Sequence, residues 1–343
     1  MKTLLRLLLK SQHQQNRSGR VQTEKGMTLI ELLIGTVMAF LIVTPMLAFV
    51  VDMLNTDRRE QIKSNTEQDI QAAVDFIAQD LSQAIYIYDG KGINDIKTQL
   101  PANNDANKTP IMVFWKRQQI ERSLPIDPAA VTKPNTCDAT KCNDTYVLSL
   151  VAYYQIKETD PQSIWCQPSS GINDCPTRIA RYEIRDGVKD PLTLNYYTDG
   201  ETTPGQRKNP AFNTKFNLSN PTKEVTIAAG FPAAAANSQV LLNYIDHSPG
   251  TILTPCTTAL GSPTDPKDKT KFLDEDTLKV TDPTKTINSF YACVDTEKNL
   301  ARVTIRGNSL RRIQPNDANY NASKSAFFPT ASVQVQGLGA RGK

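Results

Sequence analysis

The chain has 343 residues, 39% of them hydrophobic and 22% charged, with 21 prolines and a formal net charge of +4. This composition predicts a loop-rich folded chain that is long enough for a sizeable core. Residues 1–26 carry a net charge of +5 and residues 302–343 a net charge of +6, so residues 27–301 total −7. Because the positive charge is confined to the two ends, the composition argues against a chain-wide attraction to nucleic acid.

The first predicted element is a cationic leader, residues 1–26, followed by a transmembrane segment over residues 27–52. The leader ends directly before an apolar run, and residues 32–51 (LLIGTVMAFLIVTPMLAFVV) contain no charge. A helix of that length spans about 30 Å at about 1.5 Å per residue, which is the thickness of the hydrocarbon core of a bilayer. An ordinary secretory signal has a shorter apolar region followed by a small-residue cleavage site.

A single carboxylate, Glu31, lies inside the apolar stretch, in the string KGMTLIELLIG. A carboxylate at membrane depth costs about 2.5 kcal/mol or more, so it normally has a partner. Cleavage between Gly26 and Met27 would create an α-amino group about one helical turn away, and the amine of a neighbouring subunit could come closer. At about 4 Å and an effective dielectric constant of about 20, such a pair gains about 4 kcal/mol, which offsets the cost of insertion.

The string Lys25-Gly26-Met27-Thr28-Leu29-Ile30-Glu31 resembles the prepilin peptidase site of type IV pilins and type II secretion pseudopilins. By that resemblance, the peptidase cleaves after Gly26, Met27 becomes the N-methylated terminus, and Glu31 is the assembly carboxylate that pairs with the terminus of an adjacent subunit. The first mature residue of the family is most often Phe, and Met27 departs from it. The alternative is a single-pass anchor in which Glu31 is incidental.

The large remaining chain looks similar to the W-type minor pilins and J-type pseudopilins. Residues 52–89 also resemble, to a lesser degree, the cyanobacterial pseudopilin of hormogonium polysaccharide secretion. The resemblance implies a structural subunit of a type IV pilus or pseudopilus that serves motility, adhesion, DNA uptake or secretion. The implied partners are other pilins, prepilin peptidase, an inner-membrane assembly platform and membrane lipid.

The implied location is the inner membrane, with one span and a periplasmic C-terminal domain, and then the filament or cell surface after assembly. One alternative is a signal-anchored periplasmic binding protein or adhesin with no filament role, and another is an anchored enzyme. The chain has no phosphate-binding glycine loop, HExxH or GxSxG motif. The sequence therefore predicts no catalytic residue, no metal site and no cofactor.

Residues 53–88 are predicted to form the amphipathic second half of the same helix, which would run from Thr28 to about Tyr88. Its apolar stripe recurs at spacings of three and four residues, at Ile62, Thr66, Ile70, Ala73, Val74, Ile77, Leu81, Ala84 and Ile85. The charged positions, Asp80 among them, lie largely on the opposite, polar face. In the first half, Pro45 removes a backbone donor, which predicts a kink. Three small or weakly polar residues there would permit close contact between helices: Gly35, Thr36 and Thr44.

Residues 89–313 are predicted to form a β-rich domain, because short apolar or alternating runs are separated there by Pro, Gly, Asn and Asp. The predicted strands are Ile111–Trp115, Tyr146–Ile156, Arg178–Ile184, Leu192–Tyr197, Val225–Ala228, Val240–Ile245, Ser289–Val294 and Ala301–Ile305. The last two flank a predicted hairpin turn, and the predicted surface loops are 99–110, 129–144, 198–222 and 248–287. The predicted fold is α+β, a long N-terminal helix on a mainly antiparallel sheet.

All six cysteines follow the apolar segment, which favours disulfides in an oxidising compartment. Six cysteines allow fifteen connectivities. Neighbours in sequence close the smallest loops, which favours the pairs Cys137 with Cys142, Cys166 with Cys175, and Cys256 with Cys293. Zinc coordination and free thiols are the alternatives, although the chain has no C-x-x-C pair and its only histidines are His13 and His247.

The C-terminal residues 314–343 have little apolar content and are predicted to form a flexible basic tail. Basic and aromatic residues alternate near it, and the alternative to a solvated surface is contact with a polyanion: Arg311, Arg312, Tyr320, Phe327 and Phe328. The acidic string at residues 274–276 lacks the spaced oxygens and the glycine of a calcium loop, so it is predicted to be a solvated turn.

Overall fold

The computed structural model describes residues 26, 28–101, 105–128, 133–138, 140–167, 175–227, 238–248, 250, 254–265, 268–281, 289–314 and 316–338. The chain divides into two compact units, Met1–Asp57 and Arg58–Lys343. Within the predicted leader only Gly26 is described, and Met27 also lies outside the described residues.

The first element is helix α1, Leu29–Ser82. All but one of its buried side chains belong to the predicted stripe, the exception being Asp80: Thr66, Ile70, Ala73, Val74, Ile77, Asp80 and Leu81. The predicted end near Tyr88 is wrong, because the chain turns after Ser82 and residues 84–87 form a strand. The sequence of that strand, AIYI, is rich in β-branched and aromatic residues, which prefer a pleated surface to a helix.

The first sheet contains five strands: β1 (Ala84–Ile87), β2 (Lys108–Pro125), β3 (Cys142–Lys157), β4 (Thr177–Arg185) and β5 (Ser238–Ile245). They lie in the order β1-β2-β3-β4-β5, and every neighbouring pair is antiparallel. Helix α2, Gly90–Ile96, connects the first two strands, and the Asp89 carboxylate accepts a hydrogen bond from Gly92 N at its start. This sheet confirms the predicted antiparallel architecture.

The second sheet contains four strands: β6 (Lys279–Val280), β7 (Phe290–Asp295), β8 (Leu300–Arg306) and β9 (Thr330–Gln336). They lie in the order β6-β7-β8-β9, again with antiparallel neighbours. Two four-residue helices precede β6: α3 (Cys256–Ala259) and α4 (Glu275–Leu278). The predicted hairpin is confirmed, since Asp295 pairs with Leu300 across the turn.

Both sheets contribute to one hydrophobic core, which the second half of α1 covers. Ile77 and Leu81 of the helix are fully buried together with Trp115 of β2 and Val303 of β8. At Gly307, just after β8, an added Cβ would collide with the side chain of Ile70, so the chain can approach the helix closely only at a glycine. The predicted α+β fold is therefore confirmed for the second unit.

Two predicted strands are wrong. Residues 192–197 form a turn with one isolated bridge, between Lys189 and Tyr196. The apolar residues there face solvent, since Leu192 and Leu194 are 74% and 73% exposed, so the alternation marks no buried face. The other is the predicted strand Val225–Ala228. Of its described residues, 225–227, only Thr226 makes a bridge, to Phe212, and residue 228 lies outside the described residues.

The predicted surface loops also contain ordered elements. Loops 99–110 and 129–144 include the first residues of β2 and β3, and loop 248–287 contains α3, α4 and β6. Single-turn 3₁₀ helices occupy other connections: Lys97–Gln99, Pro134–Thr136, Ile164–Cys166 and Leu310–Arg312. Loop boundaries were thus less predictable than the long strands.

The predicted flexible tail is wrong for residues 316–338. A 3₁₀ helix spans Ala322–Phe327, and β9 pairs in register with β8, with Val303 opposite Val333. Ala331, Val333 and Val335 contact the core, while the residues between them are exposed. The segment TASVQVQ has the period-two pattern of a half-buried strand, which its low overall apolar content concealed.

Paired substitutions in β9 test this correction. We expect Val333→Asp to lower the free energy of unfolding by roughly 2–4 kcal/mol, because it places an unpaired carboxylate against the core. Ser332→Asp is the matched control: Ser332 is exposed, and its hydroxyl accepts a hydrogen bond from Arg302, which an aspartate can replace. Urea unfolding of both variants measures the difference, and equal stabilities would show that β9 is not ordered.

Three disulfides are present: Cys137–Cys142, Cys166–Cys175 and Cys256–Cys293. They are the sequence-neighbour pairs that were expected, and no cysteine is free. The last one joins α3 to β7, so it fixes the connection before β6 against the second sheet. All six cysteines are therefore engaged in covalent pairs and not in zinc coordination.

Candidate functional site

The candidate processing and assembly segment, residues 26–54, begins at the start of α1. Glu31 N donates hydrogen bonds to Thr28 O at 3.0 Å and to Thr28 Oγ1 at 3.4 Å. Thr28 is thus the N-cap residue, and Glu31, three residues later, stands in the first turn. This places the carboxylate at the positive end of the helix dipole, where negative charge is favoured.

The Thr28-to-Glu31 spacing also matches a capping box, in which a serine or threonine cap and a glutamate three residues later satisfy the first amides of a helix. Sequence reasoning missed this second explanation, although the signal T-x-x-E was readable. Glu31 therefore has a local role available to it that needs no second subunit. A capping box accepts glutamine as well as glutamate, so the two roles can be separated by experiment.

The apolar side chains of the segment are exposed. From Leu29 to Leu54 the large apolar residues are at least 49% accessible, and Leu29 reaches 84%. Helix α1 is the one helix among the described residues that is long and apolar enough to cross a membrane. An apolar surface of this size is not stable in water, so it requires lipid or other protein as its environment.

The polar groups inside this apolar run are satisfied within the helix. Thr36 Oγ1 donates to Leu33 O at 2.9 Å, and Thr44 Oγ1 donates to Phe40 O at 2.8 Å. Such bonds remove the cost of an unsatisfied hydroxyl in lipid. The helix continues through Pro45, and the kink predicted at that residue stays a prediction.

The residues around the predicted cleavage site are only partly described. Gly26 is exposed, and nothing lies within 4 Å of the place where a Cβ would stand. Gly35, within the span, has the same open surroundings. Lys25 and Met27 lie outside the described residues, so the distance from Glu31 to a new terminus at Met27 stays an expectation.

A buried ion network holds the second half of α1 on the first sheet. Asp80 of the helix accepts hydrogen bonds from Lys116 Nζ at 2.7 Å, Arg181 Nε at 2.6 Å and Tyr153 Oη at 2.6 Å. Arg181 also donates to Glu183 at 2.7 Å. Sequence reasoning placed Asp80 on the polar face, but its spacing of three from Ile77 puts it on the buried stripe.

The pKa values in this network show that both carboxylates are charged. Burial alone would raise the pKa of Asp80, but the hydrogen bond and charge of Arg181, together with Lys116, outweigh it and lower that pKa below its usual value. Glu183 behaves in the same way, with burial opposed chiefly by the charge of Arg181. Two cations and two anions therefore compensate one another inside the fold.

Another carboxylate with a lowered pKa, that of Glu158, follows β3. Burial raises its pKa, but hydrogen bonds from Asp160 N, Thr159 N, Ser163 Oγ and the Arg178 guanidinium outweigh this effect and lower the pKa of Glu158 to about 2. The Arg178 Nη1 to Glu158 Oε2 distance is 2.7 Å. These bonds hold the turn between β3 and the Cys166–Cys175 disulfide.

We expect acid to destabilise the folded chain through these groups. The folded pKa of Glu158, about 2, is lower than its ordinary value of 4.5, so its contribution is complete above pH 4.5 and is lost as the pH falls towards 2. Urea unfolding at a series of pH values measures this loss. Glu158→Gln should make the free energy of unfolding fall less steeply as the pH decreases. Glu67→Gln, at an exposed position of α1, should leave that pH dependence unchanged. A decline that Glu158→Gln leaves unchanged would contradict this assignment.

Basic and aromatic side chains near the C terminus pack against other parts of the second unit. Arg312 pairs with Asp69 of α1 and lies over the Tyr244 ring at 4.9 Å. Arg311 is 2% exposed and Phe328 is buried. The predicted solvated basic surface is therefore wrong at these positions, because their side chains pack between the C-terminal segment and the rest of the second unit.

The acidic string at residues 274–276 has a structural role. Asp274 accepts a hydrogen bond from Thr277 N at the start of α4, and Glu275 accepts from Cys256 N and Thr257 N at the start of α3. Two carboxylates thus cap two short helices. Within the part of the chain that the structure describes, no group of three His, Cys, Asp or Glu side chains could hold a metal ion.

Comparison of the chain with protein-family models, with curated proteins and with solved structures finds no match in any of the three.

Proposed function

We propose that this protein is a minor pilin or pseudopilin, a subunit that prepilin peptidase cleaves after Gly26 and that then assembles into a type IV pilus or a secretion pseudopilus. In this proposal the apolar half of α1 anchors the precursor in the inner membrane, and the disulfide-linked second unit lies in the periplasm. After cleavage, the same helix packs against the helices of neighbouring subunits, and Glu31 pairs with the methylated Met27 of one of them.

The observation that carries the proposal is the position of Glu31. It stands in the first turn of an exposed apolar helix, five residues after Gly26, where lipid would otherwise penalise a charge. A permanent anchor could use that charge only at the start of its own helix, whereas a helix that must find its register beside other helices can also use it between subunits. The three disulfides support the periplasmic location, because such bonds persist in oxidising compartments.

A second candidate, a signal-anchored periplasmic binding protein or adhesin without a filament, is favoured by one observation. The T-x-x-E spacing and the hydrogen bond from Glu31 N to Thr28 Oγ1 fit a capping box, in which the carboxylate would serve the helix start alone. In that case the leader remains attached, and the anchor is permanent.

Substitutions of two glycines test the cleavage step. We expect Gly26→Val to block removal of the leader when the chain is expressed with prepilin peptidase, because a branched side chain would stand at the scissile bond. Gly35→Val is the matched control: an added Cβ meets nothing within 4 Å at either glycine, so neither change disturbs local packing. Denaturing electrophoresis of the membrane fraction resolves the two lengths. Cleavage of both variants at the same rate would contradict the proposed site.

A further inference from the structure

A cationic cleft opens beside β4 in the second unit. Its volume is about 430 Å³, which lies in the range of small-molecule sites. The lining combines four basic side chains, two acidic ones and two amides: Arg181, Arg185, Arg207, Lys208, Glu183, Asp199, Asn209 and Gln239. The cleft is therefore polar and predominantly basic.

The charges of the cleft fall into a compensated and an uncompensated group. Arg181 and Glu183 belong to the buried network with Asp80 and Lys116, in which positive and negative charges balance. The outer group contains three cations, Arg185, Arg207 and Lys208, against Asp199 alone. The Asp199 side chain is 87% exposed and lies 4.0 Å from Arg207 Nε, so its effect is screened by solvent.

Two guanidinium nitrogens in the cleft have unused donor capacity. Arg185 Nε and Arg207 Nε are both shielded from water, and neither has a hydrogen-bond partner among the described residues. A buried N–H without an acceptor is costly, and a charged one more so. Because a nitrogen that is shielded from water is also shielded from a ligand, these two groups add positive charge beside the cleft and are not contact points for a bound anion.

The cations are held in place before any ligand arrives. Arg207 Nη2 donates to Asp199 O at 2.8 Å, and Arg185 Nη2 donates to Pro204 O at 3.3 Å. The segment that carries Arg207 and Lys208 is bound to the end of β4, since Asn209 N donates to Arg185 O at 2.9 Å. Preorganised donors of this kind increase affinity because little side-chain entropy remains to be lost.

We propose that this cleft binds an organic carboxylate with neighbouring hydroxyl groups, the chemistry of a sugar acid. The guanidinium groups of Arg185 and Arg207 attract a carboxylate, and Lys208 adds a third positive charge. The exposed amide of Gln239 can donate to and accept from hydroxyl groups. The ligand is bound through the cleft alone, so the inference does not depend on cleavage after Gly26.

The test is calorimetric titration of the full-length chain in a nonionic detergent at low ionic strength, where exposed charges are least screened. Galacturonate is the main probe, galactose has the hydroxyls without the carboxylate, and sulfate has the anion without the hydroxyls. We expect saturable one-to-one binding of galacturonate, weaker binding of sulfate and none of galactose. Absence of saturable galacturonate binding would overturn the proposal, and equal affinity for sulfate would overturn the role of the hydroxyls.

Variants locate the binding in the cleft. Arg207→Gln should weaken galacturonate binding roughly tenfold, the loss of a charge-assisted hydrogen bond. Lys208→Gln is a second variant, which leaves the hydrogen bonds of Arg207 to backbone carbonyls in place, and should weaken binding in the same direction. Lys215→Gln removes an exposed cation that does not line the cleft. If Lys215→Gln weakens binding as much as the cleft variants do, the attraction is general charge and the proposal is wrong.

Discussion

Replacing Glu31 with glutamine is expected to leave the protein cleaved and in the membrane but to reduce its entry into filaments roughly tenfold or more. A pair between Glu31 and a neighbouring terminus at about 4 Å is worth about 4 kcal/mol at an effective dielectric constant of about 20, and the neutral side chain loses most of that gain. Filaments sheared from cells and probed for this chain, relative to the membrane pool, give the measurement.

This substitution separates the two roles of Glu31 because a capping box accepts glutamine as well as glutamate at this position, and the bond from Glu31 N to Thr28 Oγ1 does not involve the side chain of residue 31. The helix start should therefore stay intact, and only the charge is lost. Glu67→Gln makes the same chemical change at an exposed position on the same helix and should assemble normally. If Glu31→Gln enters filaments as efficiently as Glu67→Gln, the carboxylate acts only as a cap and the proposed pairing is wrong.

The second large effect is expected at Asp80. Asp80→Asn leaves Lys116 and Arg181 without their shared carboxylate in a site where Asp80 itself is only 7% exposed. Removing one member of a buried ion pair costs about 3–5 kcal/mol, because the remaining charge stays buried without compensation. We expect the urea midpoint of the second unit to fall accordingly.

Tyr153→Phe provides the scale for that result. It removes one of the four hydrogen bonds to Asp80 and leaves both ion pairs in place, so we expect a loss of only about 1 kcal/mol. Equal losses for the two variants would show that the charges contribute no more than a neutral hydrogen bond. The network would then not be what holds α1 on the sheet.

The long, strongly patterned elements were predictable from the sequence. The stripe from Thr66 to Leu81 identified the buried face of α1, because its period of about 3.6 residues extends over several turns. The strands β3, β4 and β7 were found because apolar residues and loop-forming residues alternate clearly around them. Pairing each cysteine with its neighbour in sequence was enough to indicate the three disulfides.

The rest depended on tertiary contacts that no local pattern reports. The apolar residues 84–85 continue the helical spacing, yet pairing with β2 draws them into β1. In β9, half the residues are polar and exposed, so the segment becomes a strand only because β8 lies beside it. Asp80 was assigned to solvent, since its partners Lys116 and Arg181 come from two strands that are distant in sequence.

The candidate processing and assembly segment was more accessible to sequence reasoning than the cleft. The segment is recognised by residue types at fixed spacings, with Gly26 followed by Glu31 at the start of an apolar run. Such spacings can be read directly from the sequence. The cationic cleft assembles Arg185 with Arg207 and Lys208 from the end of β4 and a loop beyond it. Neither arginine stands in a motif, so only their proximity in the fold reveals the site.

The most direct test of the account is the intact mass of the native protein extracted from membranes. We predict a chain that starts at Met27 and carries one additional methyl group, with all six cysteines in disulfides. A mass that includes Lys25 and the residues before it would contradict cleavage after Gly26, and with it the proposal that Glu31 binds the amine of a neighbouring subunit.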